Sequence, residues 1–281
     1  MKISKIVAIS TVGLASVALL AACSSSANSS KSSSKSDVKT INVAISADSN
    51  PYEYTQNGKL TGFEYDILQK ADQDLPQYKF VYKTYDDSAL LTAIDGGRAQ
   101  IAANNFGKTK AREQKYAFSY PTAQGINAIF SSDKENLTTI SSLAGKKTEI
   151  PTGTNYGDIF ENWNAANPSK KIDVTYSQKA LADRLQEVAS GQIDFLFASK
   201  SAAENLVKEH AITGVKDTVP TDLNDHSDFK TYEYFVLDNT QTQLQIALNK
   251  EIKKMADDGY LKQLSEKYFG DDQVPSADNF K

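Results

Sequence analysis

Two stretches of the chain follow one plan, and this repetition constrains the fold more than any other feature. Leu90, Ala93 and Ile94 stand at helical spacing, Gly96-Gly97 stops that helix, and Ile101-Ala102-Ala103 reads as a buried strand. Leu181, Leu185 and Val188 form one face of a second helix, Gly191 closes it, and Ile193 to Ala198 reads as another buried strand. Each piece is preceded by further alternation. Ile41 to Ile45, a helix over Gly62 to Gln73 and the strand Phe80-Val81-Tyr82 lead into the first. The strands Ile126 to Phe130 and Lys147 to Ile150, a helix opened by Gly153-Thr154 and the strand Val174-Thr175-Tyr176 lead into the second. The chain ends with a strand over Tyr232 to Leu237, a helix carrying Leu244, Leu248, Ile252 and Met255, and a helix over Tyr260 to Tyr268 closed by Gly270. Strand–helix–strand order implies parallel strands covered by helices, so the expected fold is α/β in two similar lobes. Clefts are expected at the carboxyl ends of the parallel strands.

The amino terminus reads differently. Lys2 and Lys5 precede an apolar stretch, Ile6 to Leu20, which is short for a membrane span and ends in Leu20-Ala21-Ala22-Cys23. Cys23 is the single cysteine of the chain. This pattern looks like a bacterial lipobox, so residues 1–22 are expected to be a signal peptide and Cys23 the site of lipidation. Acyl chains add roughly 0.8 kcal/mol per buried CH₂, enough for two or three of them to hold a protein on a membrane. Ser24 to Ser36 is almost entirely Ser, Lys, Asn and Ala, a composition that cannot bury a core, so residues 23–40 read as a flexible tether. The expected location is the extracytoplasmic face of a bacterial cell membrane. Loss of Lys2 and Lys5 shifts the formal charge from -4 to -6. An acidic chain without a basic tract argues against a nucleic-acid partner.

Candidate chemistry concentrates in two turns. Thr109 can N-cap a short helix that places Arg112 at its third position, where a cation opposes the helix dipole. A guanidinium there fits an anion held by bidentate hydrogen bonds, and a surface Arg beside Glu113 fits the segment equally well. Gly153-Thr154-Asn155-Tyr156 also follows a strand and opens a helix, and it lacks the Lys of a phosphate loop. Asn104-Asn105-Phe106-Gly107 lies at the carboxyl end of a strand, where two amides and a ring could read a polar ligand or simply cap their own loop. Asp86 and Asp87, before Ser88, read as helix-capping acids. His210 and His226 lack metal-ligand spacing, and no G-x-S-x-G occurs. No catalytic residue, metal site or cofactor is expected.

Taken in order, several short segments resemble the solute-binding lipoproteins of polar-amino-acid ABC importers. They are Asn50-Pro51-Tyr52-Glu53-Tyr54, Leu60-Thr61-Gly62-Phe63-Glu64-Tyr65-Asp66-Ile67, Thr109-Lys110-Ala111-Arg112 leading to Phe118-Ser119-Tyr120-Pro121, Leu143-Ala144-Gly145-Lys146-Lys147 with Gly153-Thr154, and Ala256-Asp257-Asp258-Gly259-Tyr260-Leu261 with Glu266-Lys267-Tyr268-Phe269-Gly270. The resemblance implies a type II periplasmic-binding-protein-like fold, each lobe a mixed, mostly parallel sheet flanked by helices. Lobe 1 would comprise residues 41–121 and 231–281, and lobe 2 residues 125–226. A two-stranded hinge would cross near Thr122 to Gln124 and His226 to Lys230. It further implies that Arg112 clamps the ligand α-carboxylate, aided by backbone N–H groups near Gly107 and Thr154-Asn155. The candidate ligand-binding set is Arg112, Asn105, Phe106, Gly107, Thr154, Asn155, Ser199, Tyr52 and Ser88. The implied partners are an amino acid, the membrane permease of an ABC importer and a lipid surface, with the chain a monomer.

The chain also departs from that family. Ser199 stands where the resemblance implies an Asp that pairs the ligand amine, and a hydroxyl cannot neutralise an ammonium. Ser49 or Asn50 replaces a stacking ring, and Gln100 replaces an acid. Asn104-Asn105-Phe106-Gly107-Lys108-Thr109 is similar to the cystine-binding branch, which makes cystine the leading ligand. Two other readings remain at this stage: a surface sensor or adhesin on the same scaffold, and a dehydratase-type enzyme, which would need a general acid or base in the cleft.

Overall fold

The structure, a computed structural model, describes residues 38–281. The expected signal peptide, Cys23 and nearly all of the expected tether lie outside the described residues. The described residues form one compact unit. Among the described residues, no helix is long and apolar enough to cross a membrane.

The first lobe opens with β1 (Lys39–Ile45), β2 (Asp48–Ser49), β3 (Glu53–Gln56), β4 (Lys59–Thr61), α1 (Phe63–Asp74), β5 (Tyr78–Thr84), α2 (Leu90–Asp95), β6 (Ile101–Phe106), α3 (Lys110–Glu113) and β7 (Tyr116–Gly125). The second holds β8 (Asn127–Ser132), β9 (Lys147–Pro151), α4 (Asn155–Ala166), β10 (Asp173–Ser177), α5 (Leu181–Ser190), β11 (Phe195–Ser199), α6 (Lys200–Glu209) and β12 (Val215–Thr218). The chain then returns to the first lobe as β13 (Thr231–Asp238), α7 (Thr242–Asp257) and α8 (Tyr260–Phe269).

Each lobe is built on a five-stranded sheet, with strand orders β5-β1-β6-β13-β7 and β10-β9-β11-β8-β12. In both sheets three strands pair in parallel, and the fourth (β13 or β8) runs against them and pairs antiparallel with the fifth (β7 or β12) as well. The units β1-α1-β5-α2-β6 and β9-α4-β10-α5-β11 therefore have the same topology, as the repeated helix–Gly–strand pieces imply. The central strands are apolar on both faces because helices cover both. In β1, Ile41, Val43 and Ile45 pack with α1 and α7, while Ala44 packs with Leu90 and Ala93 of α2. In β11, Phe195 and Phe197 face Phe160 of α4, while Leu196 and Ala198 face Leu185 and Val188 of α5. Gly191 ends α5 with φ +74°, a left-handed geometry that glycine adopts without steric cost.

The connection between lobes is short. β7 runs ten residues to Gly125, and β8 starts at Asn127. Thr122 to Gln124, expected as a crossover, lie inside β7: Ala123 pairs with Glu233 and Gln124 with Tyr232. Thr122 and Ala123 are fully buried, which ties them to the first lobe. The return path passes through a short turn of helix at Ser227–Phe229 and enters β13 at Thr231, opposite Gly125. The two crossing segments are thus hydrogen-bonded neighbours where they enter the first lobe.

Candidate functional site

Arg112 is placed by the end of β6 and the turn that follows it. The Thr109 side chain caps α3 by accepting the Arg112 N–H at 3.1 Å, and the Thr109 carbonyl accepts the Glu113 N–H. Two amides of this turn are therefore already used, so anion binding here falls to the guanidinium. Arg112 Nη1 donates to the Gly107 carbonyl at 2.8 Å, and its Cζ lies 5.1 Å from the centre of the Phe106 ring. The group is partly buried and, among the described residues, makes no ion pair. Burial pulls its pKa down from the ordinary arginine value. A held, partly desolvated guanidinium with unused donors is a site for a carboxylate.

The second lobe meets this turn through α4. Thr154 is the N-cap residue, but its hydroxyl donates back to the Pro151 carbonyl at 2.9 Å. Asn155, the first residue of α4, packs its amide on Gly107: a Cβ at Gly107 would come within 2.4 Å of Asn155 Cγ. Gly107 and Asn155 are thus a direct contact between lobes, possible because residue 107 carries no side chain. A second link joins Asn205 Nδ2 to Asn50 Oδ1 at 3.2 Å.

A third link is buried. The Tyr52 hydroxyl donates to Glu233 Oε1 at 2.7 Å and lies 3.0 Å from Ser199 Oγ at the end of β11. Since the single Tyr52 proton goes to the carboxylate, Ser199 is the donor in the second bond. Asn105 takes a positive φ of 39° and directs its N–H to Glu64 Oε2 at 2.9 Å. Asn104 Oδ1 accepts from Ser49 Oγ at 2.7 Å, so the residue in place of a stacking ring serves to hold this loop. Ser88 sits exposed in the turn Asp87–Ala89 ahead of α2 and, among the described residues, makes no side-chain hydrogen bond. The candidate residues other than Ser88 thus gather at the lobe junction.

Sequence reasoning missed the buried acids of this junction. Glu53 and Glu64 are fully buried and Glu233 nearly so. Desolvation is the main cause that raises all three: Glu64 to about 7, Glu233 to about 8, and Glu53 upward with the Glu64 charge adding to the effect. The signal was present, because each acid lies between two aromatic residues: Tyr52-Glu53-Tyr54, Phe63-Glu64-Tyr65 and Tyr232-Glu233-Tyr234. In β13, strand alternation also puts Glu233 on the inward face with Phe235 and Leu237. Among the described residues, no group of three His, Cys, Asp or Glu side chains could hold a metal ion.

The same architecture occurs in known proteins. The family model for bacterial extracellular solute-binding proteins, family 3, matches residues 41–271. The "Probable amino-acid-binding protein YxeM" of Bacillus subtilis is 29% identical over 262 residues, 91% of this chain and 94% of that protein. The L-cystine-binding protein TcyJ of Escherichia coli K12 is 31% identical over 237 residues, 83% of this chain and 84% of that protein. A solved structure, from work on glutathione import via GshT and the cystine ABC importer TcyBC of Streptococcus mutans, superimposes with a TM-score of 0.73. It is 27% identical and covers 86% of this chain and 99% of that one. With two lobes of matching topology and a family match across nearly all of its described residues, this chain belongs to family 3 of the bacterial extracellular solute-binding proteins.

Proposed function

We propose that the chain binds an amino acid, with cystine favoured, and delivers it to the permease of an ABC importer while held to the membrane by lipid on Cys23. The observation that carries this reading is the Arg112 guanidinium, fixed on Gly107 and Phe106 without an ion pair, at the place where Asn155 of the other lobe closes on it. Arg112 takes the α-carboxylate. The Asn105 to Gly107 loop forms one wall of the site, and Thr154, Asn155 and Ser199 form the other. Contacts from both lobes are what allow a ligand to favour a closed arrangement over an open one. The closed form is then the surface that the permease reads. Lipidation of Cys23 would keep the protein at high effective concentration near that partner.

Thermal unfolding of the protein against cystine, glutathione and each of the twenty amino acids tests this. A ligand at a hundredfold its Kd adds about 2.7 kcal/mol, a rise of roughly 5–10 °C for a chain of this length. Cystine is expected to give the largest shift. No shift with any of these compounds would remove the amino-acid reading and favour a sensor or adhesin.

A further inference from the structure

A buried pair of acids underlies the loop that carries Arg112. Gly62 lets the start of α1 press against the chain entering β3: a Cβ on it would lie 2.2 Å from the Tyr52 carbonyl oxygen and 2.8 Å from Glu53 Cα. The Phe63 and Glu64 N–H groups donate to the Pro51 and Tyr52 carbonyls, each at 3.0 Å. Glu53 and Glu64 are thereby held together with no solvent exposure, and their carboxyls hydrogen-bond to each other, which requires a proton between them. Glu64 Oε2 also accepts the Asn105 N–H at 2.9 Å, whereas the other three oxygens of the pair have no donor besides that shared proton. The neighbouring Thr122 hydroxyl of β7 gives its proton to the Glu233 carbonyl at 3.2 Å. Glu64 is the member that takes the charge first, because it lies in the first turn of α1, at the positive end of the helix dipole, and the Asn105 N–H points at it. Glu53 has neither, and Glu64, Asp87 ahead of α2 and Glu233 of β13 all oppose its ionisation. Glu53 therefore keeps the proton and donates it to Glu64.

Asn105 needs that support, since its φ of 39° is a left-handed geometry that side chains other than glycine's enter at a steric cost. Two residues on, the Gly107 carbonyl accepts from Arg112 Nη1 at 2.8 Å, and the Phe106 ring between them carries the guanidinium. The backbone that orients Arg112 is thus pinned at its base by one buried carboxyl. We propose that Glu53 and Glu64 are positioning residues of the binding site: the proton held between them lets Glu64 pin Asn105, and the run from Asn105 to Gly107 then sets the guanidinium for the ligand carboxylate. This role rests on the amino-acid reading above. Without the proton, two buried carboxylates would repel each other and drive Glu64 from Asn105.

The test compares the full chain with three variants: Glu53→Gln, Glu64→Gln and the double variant Glu53→Leu/Glu64→Leu. Calorimetric titration with L-cystine and the twenty amino acids reads affinity, and hydrogen exchange of the Asn105 amide reads the loop without any ligand. Either glutamine keeps one donor and one acceptor between positions 53 and 64 and an acceptor for Asn105. The two leucines fill the space but remove the pin, and because both carboxyls go together neither is left buried without its partner. The double variant is expected to bind an amino acid about tenfold or more weakly and to exchange the Asn105 amide about tenfold or more faster. Each glutamine variant should stay within about threefold of the unaltered protein in both readings. Should the double variant not fold, Glu64→Leu alone gives the same comparison. Unchanged affinity and exchange with leucine, or a loss with glutamine as large as with leucine, would overturn the positioning role and leave the amino-acid reading intact. Failure of the unaltered protein to bind any of these compounds would overturn the amino-acid reading, and exchange at Asn105 would still decide whether Glu64 pins the loop.

Discussion

Arg112 shows how much one side chain can contribute when its surroundings are arranged for it. Its donor to Gly107 and its place on Phe106 fix the guanidinium, so under the proposed function little side-chain freedom would remain to be lost on binding. Arg112→Ala is expected to weaken amino-acid binding at least a hundredfold, since loss of one partner of a held charge pair costs about 2–5 kcal/mol. Arg112→Lys keeps the charge but loses the planar fork, and a loss of tenfold or more is expected. Neither change should move the melting temperature of the unliganded protein by more than about 2 °C, because Arg112 anchors only its own loop. Titration calorimetry beside thermal unfolding reads both quantities. Full affinity in Arg112→Ala would remove this residue from the site. Arg112 and its capping Thr109 were legible in the sequence, because a Thr three residues ahead of a cation has a specific local meaning. Glu233 was overlooked although its flanking aromatics Tyr232 and Tyr234 carried a signal, because an acid inside a strand reads as solvated until the strand's partners are known.

At the level of elements, the glycines separate local geometry from packing. Gly62 precedes α1 with φ +130°, and a Cβ there would lie 2.2 Å from the Tyr52 carbonyl oxygen. Gly58, in the turn between β3 and β4, has φ +74° and nothing within 4 Å of its would-be Cβ. Gly58→Ala should therefore cost about 1 kcal/mol for backbone conformation alone. Gly62→Ala should cost about 2–4 kcal/mol, because strain and collision add. Urea midpoints with unchanged slope would show both, and equal losses would mean that α1 shifts to relieve the clash. The parallel units were legible as elements, since buried strands and one-faced helices differ in period. β7 was not. Its Pro121 argues against a strand, yet it is tolerated here because pairing with β13 shifts register around Tyr234, the partner of Pro121. The crossover expected at Thr122 to Gln124 moved to Gly125 for the same reason. The small sheet β2-β3-β4 escaped because its strands are two to four residues long. α6 escaped because it starts at Lys200, directly after Ser199 ends β11, with no connecting turn.

For the whole molecule, buried acids at a lobe junction make stability depend on pH in an unusual direction. Glu64 rises to about 7 and Glu233 to about 8, each mainly through desolvation, from an unfolded value near 4.5. The folded protein therefore holds more protons than the unfolded chain between those values, and the free energy of unfolding falls as pH rises. The stabilisation from these neutral acids is fully present below about pH 4.5 and is lost as pH passes through 7 and 8. Surface acids lowered by hydrogen bonds from lysines, such as Asp74 and Asp95, act in the opposite sense and matter only at more acid pH. The ligand-free protein should thus be most stable near pH 5 and lose several kcal/mol, in order of magnitude, by pH 8.5. Urea unfolding across that range measures it. Glu233→Gln should flatten the upper part of the profile, and Glu64→Gln the part near neutrality. A profile that is already flat would mean that these carboxyls ionise without penalty.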